Sequence, residues 1–162
     1  MVVLPAEAVH IPEIVTIWEE FMDFHRSLDP FFTLREDAAA RFQGWAAGLL
    51  QNPKVLVLVA LDQERVLGYV MSQIVDYPPI YLYKNYGQLM DMAVRPELRR
   101  RGLGSLLLAE ALRWFKGRGI ERVELSVAAR NPIGYPFWKK RGFADYMHVL
   151  YLNLPPRETS GP

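Results

Sequence analysis

The stretch "RPELRRRGLGSLLLAEALRWF", residues 95–115, places Arg99, Arg100 and Arg101 directly before Gly102, Leu103, Gly104 and Ser105 at the start of a helical pattern. A helix N-terminus already carries partial positive charge from its unpaired N–H groups, so cations are misplaced there unless an external anion offsets them. Glycines at such a turn let the backbone approach a ligand, and successive N–H groups then point at it. The chemistry this spacing suits is phosphate or pyrophosphate binding. Just upstream, Asp91 is the only charge in "QLMDMAV". A carboxylate in a central strand is paired, hydrated or functional, so Asp91 is either a general base or half of a structural pair.

Two phosphate cradles do not fit. A Walker loop needs Gly-Lys-Ser/Thr, whereas Gly104 leads to Ser105 and Leu106. The dinucleotide fingerprint needs a glycine or alanine where Leu107 stands.

The elements that must position these residues are legible. "IPEIVTIWEEFMDFHRSL" has apolar residues at helical spacing with Pro12 near its start, and "REDAAARFQGWAAGLL" reads as a second helix. "KVLVLVAL" and "VLGYVMSQIV", joined by "DQER", predict a β-hairpin. A Pro- and Tyr-rich loop, "DYPPIYLYKNYG", leads to the strand "QLMDMAV". After the arginine-glycine turn, "SLLLAEALRWFKGRG" is apolar nearly all round apart from Glu110 and Arg113, which predicts a helix buried against a sheet and ended by Gly117 and Gly119. "VELSVA" is a further strand, and "NPIGYPFWKKRG" a short helix capped by Asn131, with Pro136 shortening or bending it. "FADYMHVLYLNL" predicts a last strand, and residues 154–162 a polar tail expected to be disordered. Helices alternating with strands point to one mixed-sheet α/β (α+β) domain over residues 1–153.

The pattern Arg99-x-x-Gly102-x-Gly104 within "MAVRPELRRRGLGSLLL", together with "NPIGYPFWKKRGF" downstream, resembles the GNAT superfamily, the general N-acetyltransferases that use acetyl-coenzyme A. The resemblance covers roughly residues 1–153, including two helices between the first and second strands and a hairpin leading into the coenzyme strand. It implies a central mixed β-sheet splayed into a V and flanked by about four helices. It also implies that the amides of about residues 100–105, spanning Arg100, Arg101, Gly102, Leu103, Gly104 and Ser105, hold the coenzyme pyrophosphate, with Arg99 alongside. The pantetheine arm would pair with the backbone of Met92, Ala93 and Val94, the Met92 N–H polarising the thioester carbonyl. Asn131, Phe137 and Trp138 complete the implied coenzyme site.

The implied reaction is acetyl transfer to a primary amine by direct attack, with acetyl-coenzyme A as cosubstrate and no metal. In this family a tyrosine four residues before the Gly of Gly-Phe often serves as the general acid, but Trp138 occupies that position here. An indole N–H is no practical proton source at neutral pH. Tyr135, one turn away, is the alternative acid or a packed or solvated side chain, and Asp91 is the candidate base. Glu19, Glu20, Asp23 and His25 lie around the end of the first helix, and His148 in the last strand; each reads equally as wet surface. Tyr77, Tyr81, Tyr83 and Tyr86 could bind an acceptor or simply pack. The loss of the usual acid leaves a second reading, a non-catalytic coenzyme A-binding or sensory module.

Bulk composition bounds these readings. The 162-residue chain has 19 Lys plus Arg against 18 Asp plus Glu, a net charge of +1, which disfavours wholesale nucleic-acid or membrane-surface binding. It contains no cysteine, which excludes disulfides, thiolate zinc sites and a cysteine nucleophile. No leader or membrane-length apolar run is visible, so a soluble cytoplasmic protein is expected. Relatives of the resembled family are often dimers, which makes a homodimer an expectation; "HVLYLNL" could meet a partner or lie inside the sheet.

Overall fold

The computed structural model of the chain describes residues 1–154; the expected disorder of residues 155–162 lies outside the described residues. In order, the elements are β1 (Val2–Pro5), α1 (Ile11–Leu28), α2 (Ala38–Leu49), β2 (Val55–Asp62), β3 (Arg65–Asp76), β4 (Asn85–Val94), α3 (Leu103–Gly117), β5 (Val123–Leu125) and α4 (Gly134–Lys140). The five strands form one sheet in sequence order. Pairs β1–β2, β2–β3 and β3–β4 are antiparallel, and β4–β5 is parallel, so the sheet is mixed as expected.

The uninterrupted apolar runs of β2 and β3 follow from burial on both faces. Side chains alternate: Val57, Val59, Tyr69 and Met71 pack with Ile14, Ile17 and Phe42 of α1 and α2. Leu58, Ala60 and Val70 pack with Leu107, Leu108, Ala111 and Phe115 of α3 on the other face. Only that stripe of α3 is buried; Leu106 and Leu112 remain 36% and 37% exposed, so the helix lies on the sheet rather than inside the protein. A buried clamp fixes α1 across the sheet. Glu13 accepts from the Val66 amide at 3.2 Å and pairs with Arg95 at 3.0 Å, while Arg95 Nε donates to the Val66 carbonyl at 2.8 Å.

Two features open the sheet where a ligand could enter. Strand β5 pairs with β4 only along Gly87–Leu89, so Met90–Val94 of β4 have no strand on that side. A bulge skips Met90, since Met71 pairs with Asp91 and Ser72 with Leu89. Such a bulge bends its strand and redirects side chains. Here it sends Met90 and Asp91 to the α1 face, while Leu89 and Met92 face α3. The splayed sheet expected from the family resemblance is present.

The C-terminal strand is not. Residues 143–154 carry no regular secondary structure and pair with no strand, although their alternating aromatic and β-branched residues predict one. Propensity makes a strand only where an edge accepts it. Tyr146 stacks against the Arg122 guanidinium, 4.1 Å from ring centroid to Cζ, just before β5 begins. Beyond it the chain runs away from the sheet. In α4, Pro136 is the third helical residue, where its missing N–H is not needed, so it shortens nothing.

Candidate active site

A cleft of about 710 Å³ lies between the splayed strands, closed by α1 on one side and by the start of α3 and α4 on the other. Its lining brings together Asp91, Met92, Ala93, Val94, Arg99, Arg100, Gly102, Gly104, Ser105, Asn131, Phe137 and Trp138, residues far apart in sequence. Arg101 is exposed and the Leu103 side chain is buried in the core, so these two reach the site only through their backbone.

The turn before α3 is built to present amides. After a single 3-10 turn at Pro96–Leu98, Arg100 adopts φ 62° and Gly102 φ 85°. Left-handed values cost a non-glycine residue about 1 kcal/mol, so Arg100 holds strain of the kind found at functional turns. Among the described residues, the N–H groups of Arg100, Arg101, Gly102, Leu103 and Gly104 have no protein acceptor; the first paired amides of the helix are Ser105 and Leu106, both to the Gly102 carbonyl. Five successive unpaired donors at a helix N-terminus form an anion nest. Arg141 flanks it, bonded to the Ser105 hydroxyl and resting on the Phe137 ring.

Strand parity settles which backbone groups of β4 face the cleft. The Arg95 amide donates to the Leu67 carbonyl at 3.0 Å, so Arg95, Ala93 and Asp91 direct their backbone groups toward β3. Met92 and Val94 therefore direct theirs toward the open edge. The Val94 carbonyl accepts from Arg99 Nε at 3.2 Å, which folds this arginine back over the strand end.

Asp91 sits at the cleft floor with its carboxylate 2.7 Å from the Tyr69 hydroxyl, which donates to it. Burial pushes its pKa up to about 6, against which the Tyr69 hydroxyl and the Met92 amide hold it down. A carboxylate near 6 is half-ionised close to neutrality, the range useful for proton transfer. Tyr69 is itself fully buried, and burial beside Asp91 pushes its hydroxyl upward, so it remains a donor.

Several positions differ from the sequence-based reading. His25, read there as surface, is 7% exposed and lines the cleft. Its Nδ1 lies 2.9 Å from the Phe21 carbonyl, which can only accept, so of the two ring nitrogens Nδ1, not Nε2, donates to it. Asn131 lies 3.5 Å from that Nε2 through its amide nitrogen. Its Oδ1 caps α4 by accepting from the Ile133 and Gly134 amides at 3.0 and 2.7 Å, so Asn131 shapes the cleft wall. Tyr135 does not line the cleft: its hydroxyl donates to the Asp145 carboxylate at 3.1 Å on the outer side of α4. Tyr135→Phe is accordingly expected to change turnover less than twofold, measured by coenzyme A thiol release. Trp138 lines the cleft between Phe137 and Phe143, with ring centroids 4.9 and 5.4 Å away. The acids of α1 are elsewhere: Glu13 and Glu20 face Arg95, and Asp23 pairs with Arg26 at 3.0 Å. Phe21 and Phe24 join the lining unannounced by any motif, and Lys140 and Arg141 join it from inside the quoted "NPIGYPFWKKRGF", where the motif assigned them no role. The spacing of Phe21, Phe24 and His25 at i, i+3 and i+4 signalled a shared helical face, but not that the face meets a cleft.

Comparison with known proteins bears on the fold and the family. A profile of the acetyltransferase (GNAT) family matches residues 14–143. Spermidine N(1)-acetyltransferase of Thermoplasma acidophilum is 28% identical over 92 residues, 57% of this chain and 52% of that protein, so the chain spans about half the length of this curated relative. A Bacillus halodurans protein of solved structure superimposes with a TM-score of 0.83 at 20% identity, covering 95% of this chain and 100% of that one. A predicted acetyltransferase of Clostridium acetobutylicum, solved with acetyl-coenzyme A, gives 0.77 at 22% identity over 94% and 95% of the two chains. At such identities these structures speak for the fold; the profile match over most of the sequence establishes that the chain belongs to the acetyltransferase (GNAT) family.

Proposed function

We propose that this chain binds acetyl-coenzyme A in the cleft and transfers the acetyl group to a primary amine by direct attack. The observation that carries the reading is the run of unpaired amides from Arg100 to Gly104, opening into the same cleft as Asp91. The amides and Arg99, Arg100 and Arg141 would hold the pyrophosphate, and the outward backbone of Met92 and Val94 the pantetheine arm. Phe137 and Trp138 would line the path between them. When bound, acetyl-coenzyme A supplies an acyl thioester.

The residues then divide the work. Asp91, ionised above about pH 6, takes a proton from the incoming ammonium and leaves a free amine. The Met92 N–H, which without substrate serves the Asp91 carboxylate, would turn to the carbonyl oxygen as charge develops there. The N–C bond forms as the C–S bond breaks, giving the N-acetyl amine, the coenzyme thiol and one released proton. With Tyr135 turned to Asp145, no side-chain acid is assigned to the departing sulfur, and a thiolate is stable enough to leave without one. The absence of cysteine from the chain makes thiol release a clean assay. Amine-dependent thiol release supports transfer; coenzyme binding without any release would favour the non-catalytic module, the reading that Trp138 at the acid position keeps open.

The expected homodimer belongs to the same proposal. Met147, Val149, Leu150, Tyr151, Leu152 and Leu154 are 76–90% exposed, an apolar arm with no neighbour among the described residues. Strand β5 has an open edge in the same chain. An arm and an edge carried by one chain are self-complementary and can close a two-fold exchange. Sedimentation at micromolar concentration should give a dimer, and a variant ending at Asp145 a monomer. A monomeric full-length chain would contradict this.

A further inference from the structure

We infer that the acceptor is a monoamine with an apolar or aromatic body, not a polyamine or an aminosugar. This rests on the acetyl-transfer reading above and adds the substrate class. The acceptor half of the cleft is the part beyond Met92, where α1 crosses the open strands, and its walls are aromatic and aliphatic. Phe21, Phe24 and His25 project from α1, Met90 rises from the bulge, and Ile133 stands across from them, 47% exposed. The three α1 rings form one surface: Phe21 and His25 have centroids 4.1 Å apart, and Phe24 meets His25 edge-on at 5.5 Å. Phe32 supports it from behind, 5.3 Å from His25. The bond from His25 Nδ1 to the Phe21 carbonyl fixes the imidazole ring against the two phenyl rings.

Negative charge is confined to one point, and the Arg99 guanidinium stacks over the Phe24 ring at 5.9 Å on the coenzyme side of this wall. Among the described residues, Asp91 is the single carboxylate in the lining, whereas Arg99, Arg100, Lys140 and Arg141 are all cations. The acids of α1 lie outside the lining: Glu13 pairs with Arg95 at 3.0 Å, Glu20 comes within 3.9 Å of the same arginine, Arg26 takes Asp23, and Glu19 is exposed. One ammonium can therefore sit at Asp91. A second would face aromatic walls and arginines with no counter-charge, and sugar hydroxyls would lose water without gaining partners. An aromatic or branched aliphatic body instead covers Phe21, Phe24 and Ile133. The relative from Thermoplasma acidophilum is named for spermidine, so the inference sets this chain apart from that protein.

The test compares 2-phenylethylamine with spermidine and kanamycin A on the full chain, following thiol release, with acetyl-coenzyme A binding measured separately by calorimetry. The expected result is a kcat/KM for 2-phenylethylamine at least tenfold above either polycation. Ile133→Ala should raise the KM for 2-phenylethylamine about threefold and leave the calorimetric affinity for acetyl-coenzyme A within twofold. Ile133→Asp, which places a second acid in the wall, should narrow the preference by at least tenfold. If spermidine or kanamycin A is preferred, the inference is overturned and the acetyl-transfer reading stands; if the coenzyme binds and no amine of the three turns over, the acetyl-transfer reading falls and the inference with it. Failure of acetyl-coenzyme A itself to bind would remove that reading already at the coenzyme site.

Discussion

Gly104→Glu is expected to weaken acetyl-coenzyme A binding by more than about 100-fold while leaving the melting temperature within a few degrees of the parent. Gly104 lies in the first turn of α3 and lines the cleft. A Cβ built there meets the Phe137 ring at 3.5 Å and Met92 Cε at 3.7 Å, ordinary contact distances, so the backbone has no reason to move. The carboxylate, however, would enter the amide nest and compete for the donors that a pyrophosphate needs. Like charges brought together at a binding site cost several kcal/mol, which corresponds to two or more orders of magnitude in affinity. Calorimetry and thermal denaturation on the same sample check both halves of the statement. Unchanged affinity would mean that the nest is not the phosphate site. Gly102 would be a poorer choice: its φ of 85° makes any side chain strained, and a loss of binding there could reflect a displaced loop.

Asp91→Asn should lower kcat/KM by roughly 100-fold, the size commonly lost with a general base, and at the same time raise stability near pH 7. The sign follows from linkage. Burial raises the carboxyl of Asp91 from 3.8 to about 6 in the folded chain, so between those values the folded state binds more protons than the unfolded one. Stability from this group therefore falls as pH rises from about 4 to about 6, and the cost persists above it. A difference of about two pH units corresponds to an upper bound on the order of 3 kcal/mol, reduced by the partial exposure of the site. Asn removes the buried charge yet keeps an oxygen for the Tyr69 hydroxyl. The parent enzyme should gain activity through pH 6 as Asp91 ionises, and the variant should lose that limb. Its deficit should shrink as pH approaches the amine's own pKa, where solution supplies free amine. If Asp91 were only a structural partner of Tyr69, the variant would melt lower and turn over normally. Activity lost together with stability gained is the signature of a strained functional group.

Much of this geometry was written locally in the chain. The arginine-glycine run, the apolar strand before it and the helical stripe after it are short-range patterns, and short-range patterns survive folding. The same holds for the hairpin of β2 and β3, where two continuous apolar runs flank the turn at Gln63 and Glu64. What escaped depends on contacts across the sheet. Nothing near Asp91 in sequence names Tyr69, which meets it only through the β3–β4 register and the Met90 bulge. His25 looked like surface because its charged neighbours Asp23 and Arg26 are surface; its burial comes from Phe32 and from Asn131, more than a hundred residues away in the chain. The strand expected at the C-terminus failed for the complementary reason. Its residues have the composition of a strand, but the chain passes the end of β5 at Tyr146 and finds no edge there. Tyr135 likewise carries a useful hydroxyl, and only the three-dimensional placement of Asp145 shows that it points outward.

The central claim is that the unpaired amides at Arg100–Gly104 receive the phosphates of acetyl-coenzyme A. Its most direct test is calorimetric titration of the full chain with acetyl-coenzyme A, beside ATP and NADH at the same concentrations. The account predicts saturable one-to-one binding of acetyl-coenzyme A in the micromolar range, with ATP and NADH at least tenfold weaker. Absence of binding, or equal affinity for all three, would contradict it and reduce the arginine-glycine turn to a strained surface loop.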